Sequence, residues 1–129
     1  MTDRRIVSTP AAPKAIGPYS QAVVAGGLVF AAGQIALDPA TGALVGGGDA
    51  AKEAERALKN LEAVLVAAGS GLDRVVRCDV FLLDLADFGR VNEAYGRFFP
   101  KDPPARVTIQ AARLPRDARV EIAAIASVG

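Results

Sequence analysis

Arg106 and Glu121 are the two side chains whose types and places suit them best to chemistry on a small molecule. Arg106 opens a short run, Arg106-Val107-Thr108-Ile109-Gln110-Ala111, and Glu121 lies in a second, Arg119 to Ser127. A strand sends successive side chains to opposite faces. In the first run Val107, Ile109 and Ala111 share one face, while Arg106, Thr108 and Gln110 share the other. In the second, Val120, Ile122, Ala124 and Ala126 oppose Arg119, Glu121, Ala123 and Ile125. With the apolar faces turned to a core, Arg106 and Glu121 both project away from it, and on neighbouring strands they would point into one space. A guanidinium is a planar fork matched to a carboxylate. A glutamate orders or deprotonates water. The pair suits a small substrate with a carboxylate beside an electrophilic carbon. A structural ion pair, across the strands or across a subunit boundary, fits the same pattern.

The remaining inventory narrows the chemistry. Histidine is absent, which removes imidazole bases and most transition-metal sites, and no metal-ligand spacing is present. Cys78, the only cysteine, falls on an apolar strand face and reads as a small core residue rather than a nucleophile. Gly46-Gly47-Gly48 lacks the Lys-Ser/Thr of a phosphate loop and reads as a plain connection. Tyr19 follows Gly17-Pro18 in a loop, as packing or as a site wall. Asn92 sits in a helical segment, where most asparagines do nothing catalytic.

These candidates need a frame to hold them. Residues 1–18, rich in Pro and Ala, read as an extended arm feeding into the fold, with room for a short strand. Gly26-Gly27 joins two apolar runs, Gln21 to Ala25 and Leu28 to Ala32, as a tight hairpin whose central residues need positive φ. The second run has no polar alternation and is expected to be buried on both faces. Asp49 caps a helix running to about Ala68, with Gly69 as its stop. Its apolar residues, Ala54, Leu58, Leu61 and Leu65 among them, recur at helical spacing. Val75 to Leu83 is the clearest strand. Val76, Cys78, Val80 and Leu82 should face the helices; Arg77, Asp79, Phe81 and Leu83 mix charge with bulk and should meet another subunit. Asp84 caps a second helix ending near Phe99, weakened by Gly89 and Gly96 at ~1 kcal/mol each. The order is β-β-α-β-α-β-β, and two helices cover only one face of such a sheet.

The 129 residues fit one domain spanning 1–129. Hydrophobic residues make up 51% and aromatic ones 5%, which describes a tightly packed α and β domain. A net charge of +1 makes a nucleic-acid partner a poor expectation. One cysteine, no signal-peptide pattern and no span of ~20 apolar residues point to a reducing compartment, with the cytoplasm as the default.

Several segments resemble the Rid (YjgF-type) family. Ala15-Ile16-Gly17-Pro18-Tyr19-Ser20-Gln21-Ala22 is similar to its N-terminal signature, and Ala32-Gly33-Gln34-Ile35 followed by Asp38-Pro39 and Thr41-Gly42 to its second. Val91-Asn92-Glu93-Ala94-Tyr95 resembles its second helix. Pro104-Ala105-Arg106, Leu114-Pro115, Val120-Glu121-Ile122 and Ala124-Ile125-Ala126 resemble its C-terminal signature. The resemblance implies an α+β fold, a mixed sheet backed on one face by two helices, assembled as a chorismate-mutase-like homotrimer with sites between subunits. It implies hydrolysis of 2-enamino and 2-imino acids to 2-keto acids and ammonia, without a cofactor. Arg106 would hold the substrate carboxylate, Glu121 would serve the attacking water, Tyr19 and Asn92 would line the cleft, and Gly33 would offer a backbone contact. Ala32 stands where relatives often carry Ser, and Thr108 where some carry Cys, which bears on substrate preference and rate. Two other functions compete: a non-catalytic module binding a small carboxylate, and a ribonuclease or translation inhibitor.

Overall fold

The computed structural model describes residues 3–129. Six strands form one sheet: β1 (Arg5–Val7), β2 (Ala22–Ala25), β3 (Leu28–Gln34), β4 (Val75–Leu82), β5 (Ala105–Gln110) and β6 (Val120–Ser127). Their order across the sheet is β1-β2-β3-β6-β4-β5. All pairs are antiparallel except β4 with β5. Two helices, α1 (Ala50–Ala67) and α2 (Phe88–Phe98), pack together, and α1 lies on β3 and β6. The result is the α+β mixed sheet with two helices that the sequence predicts. Among the described residues no helix is long and apolar enough to cross a membrane.

Local chemistry sets the element ends. Gly26 and Gly27 turn the β2–β3 hairpin with φ of 59° and 77°, the left-handed region that side chains avoid. Asp49 caps α1 by accepting from the amides of Ala51 and Lys52, and Gly69 ends it at φ 86°. Asp84 caps a 3-10 turn over Leu85–Asp87 that leads into α2. The triple glycine is more than a connection. Gly46 lies against the buried Glu53 of α1, where an added Cβ would meet Glu53 Cγ at 2.8 Å.

Register shows which side each residue faces. One row across the sheet runs Val7, Ala22, Ala31, Ala124, Cys78 and Arg106. Its first five members are buried beneath the helices. Parallel rows on the opposite face run Ile6, Val23, Phe30, Ile125, and Glu121, Phe81, Ile109. That second face is covered only in part: Phe81 packs against a small cluster of Ile35, Leu37, Leu114 and Ala118, while Phe30 stays 44% exposed and Ile109 47% among the described residues.

Four expectations change. β3 is not buried on both faces, since Phe30 points to the uncovered side while Val29 and Ala31 are buried. Val76 is exposed rather than in the core, because the β4–β6 register slips between Val75 and Arg77 and moves Val76 off the helix face. β5 and β6 are not neighbours, because β4 lies between them. And β5 is turned over: Val107 and Ile109 face the uncovered side, so Arg106 and Thr108 face the helices. Apolar phase points to whatever covers a strand, and at this edge the chain itself does not supply that cover.

Candidate functional site

Arg106 and Glu121 therefore leave opposite faces of the sheet. Glu121 sits on β6 beside the end of β3. There the β3–β6 ladder is irregular, passing from Ala31 opposite Ala124 to Gln34 opposite Ile122. The extra residue frees Ala32 and Gly33 from regular pairing. Gly33 has no side chain, and a Cβ built on it would overlap the Glu121 carboxylate, meeting Cδ at 2.9 Å and Cγ at 3.0 Å. The missing side chain is what admits Glu121 to this position.

Glu121 opens into a cavity of about 600 Å³ whose walls include Lys14, Ile16, Tyr19, Gln21, Ile35 and Arg116. Among the described residues no ion pair or hydrogen bond engages its carboxylate, and burial raises its pKa above the ordinary glutamate value. A desolvated carboxylate with free lone pairs is suited to hold a water and take its proton.

Two buried amides hold the cavity wall. Gln21, on the last residue before β2, accepts from Thr9 N at 2.7 Å and donates to Thr9 O at 3.1 Å and Pro13 O at 2.8 Å. It ties down the N-terminal arm, and with it Lys14 and the approach to Tyr19. Tyr19 is itself 54% exposed, with its hydroxyl 3.4 Å from Ile16 N. Asn60 on α1 donates to Ile35 O at 3.2 Å and Leu37 O at 2.8 Å, and accepts from Arg56 at 2.7 Å. It fastens the segment after β3 to the helix. Neither amide stands out as a site residue in the sequence, because burial is what makes each matter. Arg116, at φ 60°, brings a cation to the cavity that strand periodicity could not find.

The second group lies at the edge of the sheet. β5 is the outermost strand. The Arg106 guanidinium sits 4.8 Å from the Tyr95 ring centroid and 5.5 Å from that of Phe88. Phe88, Asn92 and Tyr95 follow the i, i+4, i+7 spacing of one helix face, so Asn92 belongs to this edge too. Thr108, two residues along the same face of β5, has a buried hydroxyl with no partner, as does Tyr95. The Tyr95 hydroxyl faces the Cys78 thiol without a well-formed hydrogen bond, and burial pushes the Cys78 thiol up. That cysteine is a core residue.

The six residues thus fall into two half-sites. Tyr19, Gly33 and Glu121 gather at the cavity, and Arg106, Thr108 and Asn92 at the β5–α2 edge. The expectation that Arg106 and Glu121 share a cleft within one chain is corrected by the strand order and by the reversed phase of β5. Among the described residues, Asp, Glu and Cys side chains nowhere gather in threes as a metal site would require.

The sequence model of the family described as Endoribonuclease L-PSP matches residues 9–128. Protein DfrA of Myxococcus xanthus is 56% identical over 95% of either chain. A 2-iminobutanoate/2-iminopropanoate deaminase of Mus musculus is 51% identical, covering 98% of this chain and 91% of its own. Among solved structures, Escherichia coli TdcF with bound serine superposes at a TM-score of 0.91, with 41% identity over 97% of this chain and 99% of its own.

Proposed function

The chain belongs to the Endoribonuclease L-PSP family, the Rid or YjgF family that its motifs resemble, and from that premise we propose that it is an imine deaminase. It hydrolyses 2-imino and 2-enamino acids to 2-keto acids and ammonia. Its mouse relative bears the name of that activity, and a relative of the same fold carries a small amino acid, serine.

The observation that carries this reading is that both charged groups are left free. A structural ion pair across the strands was one alternative for Arg106 and Glu121, yet within a chain the two lie on opposite faces. A pair across a subunit boundary is told apart by turnover, which Arg106→Ala would then leave unchanged. Arg106 rests on aromatic rings and Glu121 on Gly33. Leaving charged groups half-buried and unpaired costs stability, which fits groups kept for a ligand.

In the reaction, Arg106 grips the substrate carboxylate through its planar fork, with the unpartnered Thr108 hydroxyl and Asn92 beside it. A water held by Glu121 adds to C2, giving up a proton to the carboxylate. The carbinolamine formed from the protonated imine takes that proton onto nitrogen, the C–N bond breaks to release ammonia, and the C2 hydroxyl returns its proton to Glu121 as the 2-keto acid forms. An imine carbon is already electrophilic, so orientation and charge stabilisation suffice and the reading calls for no cofactor.

A site holding both groups needs a second copy of the chain, with Arg106 of one subunit facing Glu121 of its neighbour. The uncovered face carrying Ile6, Phe30, Val107 and Ile109 supports self-association, and we read the assembly as a homotrimer in the cytoplasm. Ribonuclease action draws on names alone, the family description and those of similar solved structures from Thermotoga maritima and Entamoeba histolytica.

Release of ammonia from enzymatically generated 2-iminopropanoate tests the reading. Arg106→Ala should lower kcat/KM by roughly 10- to 150-fold, the worth of a charge-assisted hydrogen bond. Unchanged turnover would return Arg106 to a structural role, and RNA cleavage by that variant would favour the nuclease.

A further inference from the structure

Arg106 reaches its place without a hydrogen bond or ion pair to any described residue; its guanidinium contacts are two ring faces, Tyr95 at 4.8 Å and Phe88 at 5.5 Å. On an outermost strand no neighbour crowds it from the far side, and a long flexible side chain there samples several rotamers unless something holds its plane. A carboxylate could hold it, but at the expense of the fork, because the N–H donors would be occupied. An aromatic face attracts the cation through the ring quadrupole and leaves all of those donors free.

The two rings are built differently. Tyr95 is 6% exposed, and its ring lies 4.7 Å from that of Phe99, so it is a fixed platform. Phe88, two turns earlier on the same face of α2, is 42% exposed and covers the guanidinium from the solvent side. We infer that Phe88 and Tyr95 are positioning residues which set the plane of the Arg106 fork before the substrate carboxylate arrives. This rests on the carboxylate-gripping role given to Arg106 above. A preoriented fork loses less freedom on binding, so the rings contribute affinity without touching the substrate's reacting atoms.

The test is calorimetric titration of the assembled protein with pyruvate, a stable 2-keto acid. Phe88→Ala and Tyr95→Leu should each weaken binding by about 2- to 30-fold, the range of a cation–ring contact. Phe88→Tyr and Tyr95→Phe keep a ring face and should bind within about twofold of the parent. The same replacements in an Arg106→Lys background should weaken binding less than in the parent, because an ammonium keeps its attraction to the rings but has no plane to align. Equal weakening in the Lys background would mean general structural damage and overturn the inference, as would normal binding by Phe88→Ala. Phe88 is exposed enough for that variant to decide the matter if Tyr95→Leu does not fold. If Arg106→Ala binds pyruvate like the parent, the deaminase reading of Arg106 falls and takes this inference with it. Loss with Arg106→Ala but not with Phe88→Ala overturns the cradle alone.

Discussion

Gly33→Ala separates the geometry of the proposed site from the stability of the fold. Gly33 has no positive φ, so alanine is acceptable to the backbone, and the three heavy atoms nearest the new methyl all belong to the Glu121 side chain. A Cβ 2.9 Å from Glu121 Cδ falls short of the ~3.5–4.0 Å carbon–carbon optimum, so the carboxylate must move by about 1 Å. It is the free end of a side chain with no protein partner, and it can swing into the cavity. The stability cost of overpacking, about 1–2 kcal/mol, is partly offset by about 0.4–1 kcal/mol from the stiffer unfolded chain. The melting temperature should therefore fall by no more than about 5 °C. A water-activating group misplaced by that much should cost about 100-fold in kcat. The assay is ammonia release from 2-iminopropanoate beside a thermal melt of the same preparation. Combining Gly33→Ala with Glu121→Gln should add no further loss, because both act through one carboxylate. A folded Gly33→Ala protein turning over within about threefold of the parent would mean that the Glu121 position does not set the rate, and a fully additive double variant would show that Gly33 acts elsewhere.

Glu121→Gln should abolish most turnover and also stabilise the protein at neutral pH. Burial raises the Glu121 pKa, so the folded state favours the protonated form, and the ionised carboxylate weakens the fold most above its folded pKa. That cost fades as pH falls through the folded pKa towards the ordinary value. Melts near pH 7 should thus favour Gln, and melts near pH 4 should match the parent; the reverse order would contradict a desolvated Glu121. The acid limb of the parent's kcat/KM should lie above the ordinary glutamate pKa. Asn60→Ala should cost about 2–4 kcal/mol, roughly 10 °C in a melt, by stranding the buried Ile35 and Leu37 carbonyls; a change below about 2 °C would mean that water replaces the amide. Light scattering at micromolar concentration should give three times the chain mass, whereas a monomer would leave Arg106 and Glu121 without a common site.

Local rules carried much of the architecture. The hairpin at Gly26-Gly27, the Asp49 cap and Gly69 stop of α1, and the alternation of β6 all follow from φ demands, capping and period, and all stand in the structure. These depend on neighbours in sequence, so the chain alone determines them. The motifs around Tyr19, Gly33, Asn92, Arg106 and Glu121 were legible for the same reason: they are short strings.

What strings do not encode is which strand lies beside which. Insertion of β4 between β6 and β5 separated Arg106 from Glu121, and parallel pairing fixed Arg106 in the row of Cys78, beneath the helices. The apolar phase of β5 misled because Val107 and Ile109 face the side that the chain leaves bare. Hydrophobicity marks a face that needs cover without saying whether helix or subunit supplies it. The fit of Gly33 to Glu121, the clamps by Gln21 and Asn60, and the aromatic bed of Arg106 join residues far apart in sequence. Each depends on burial and close approach across elements, and these exist only once the sheet is assembled.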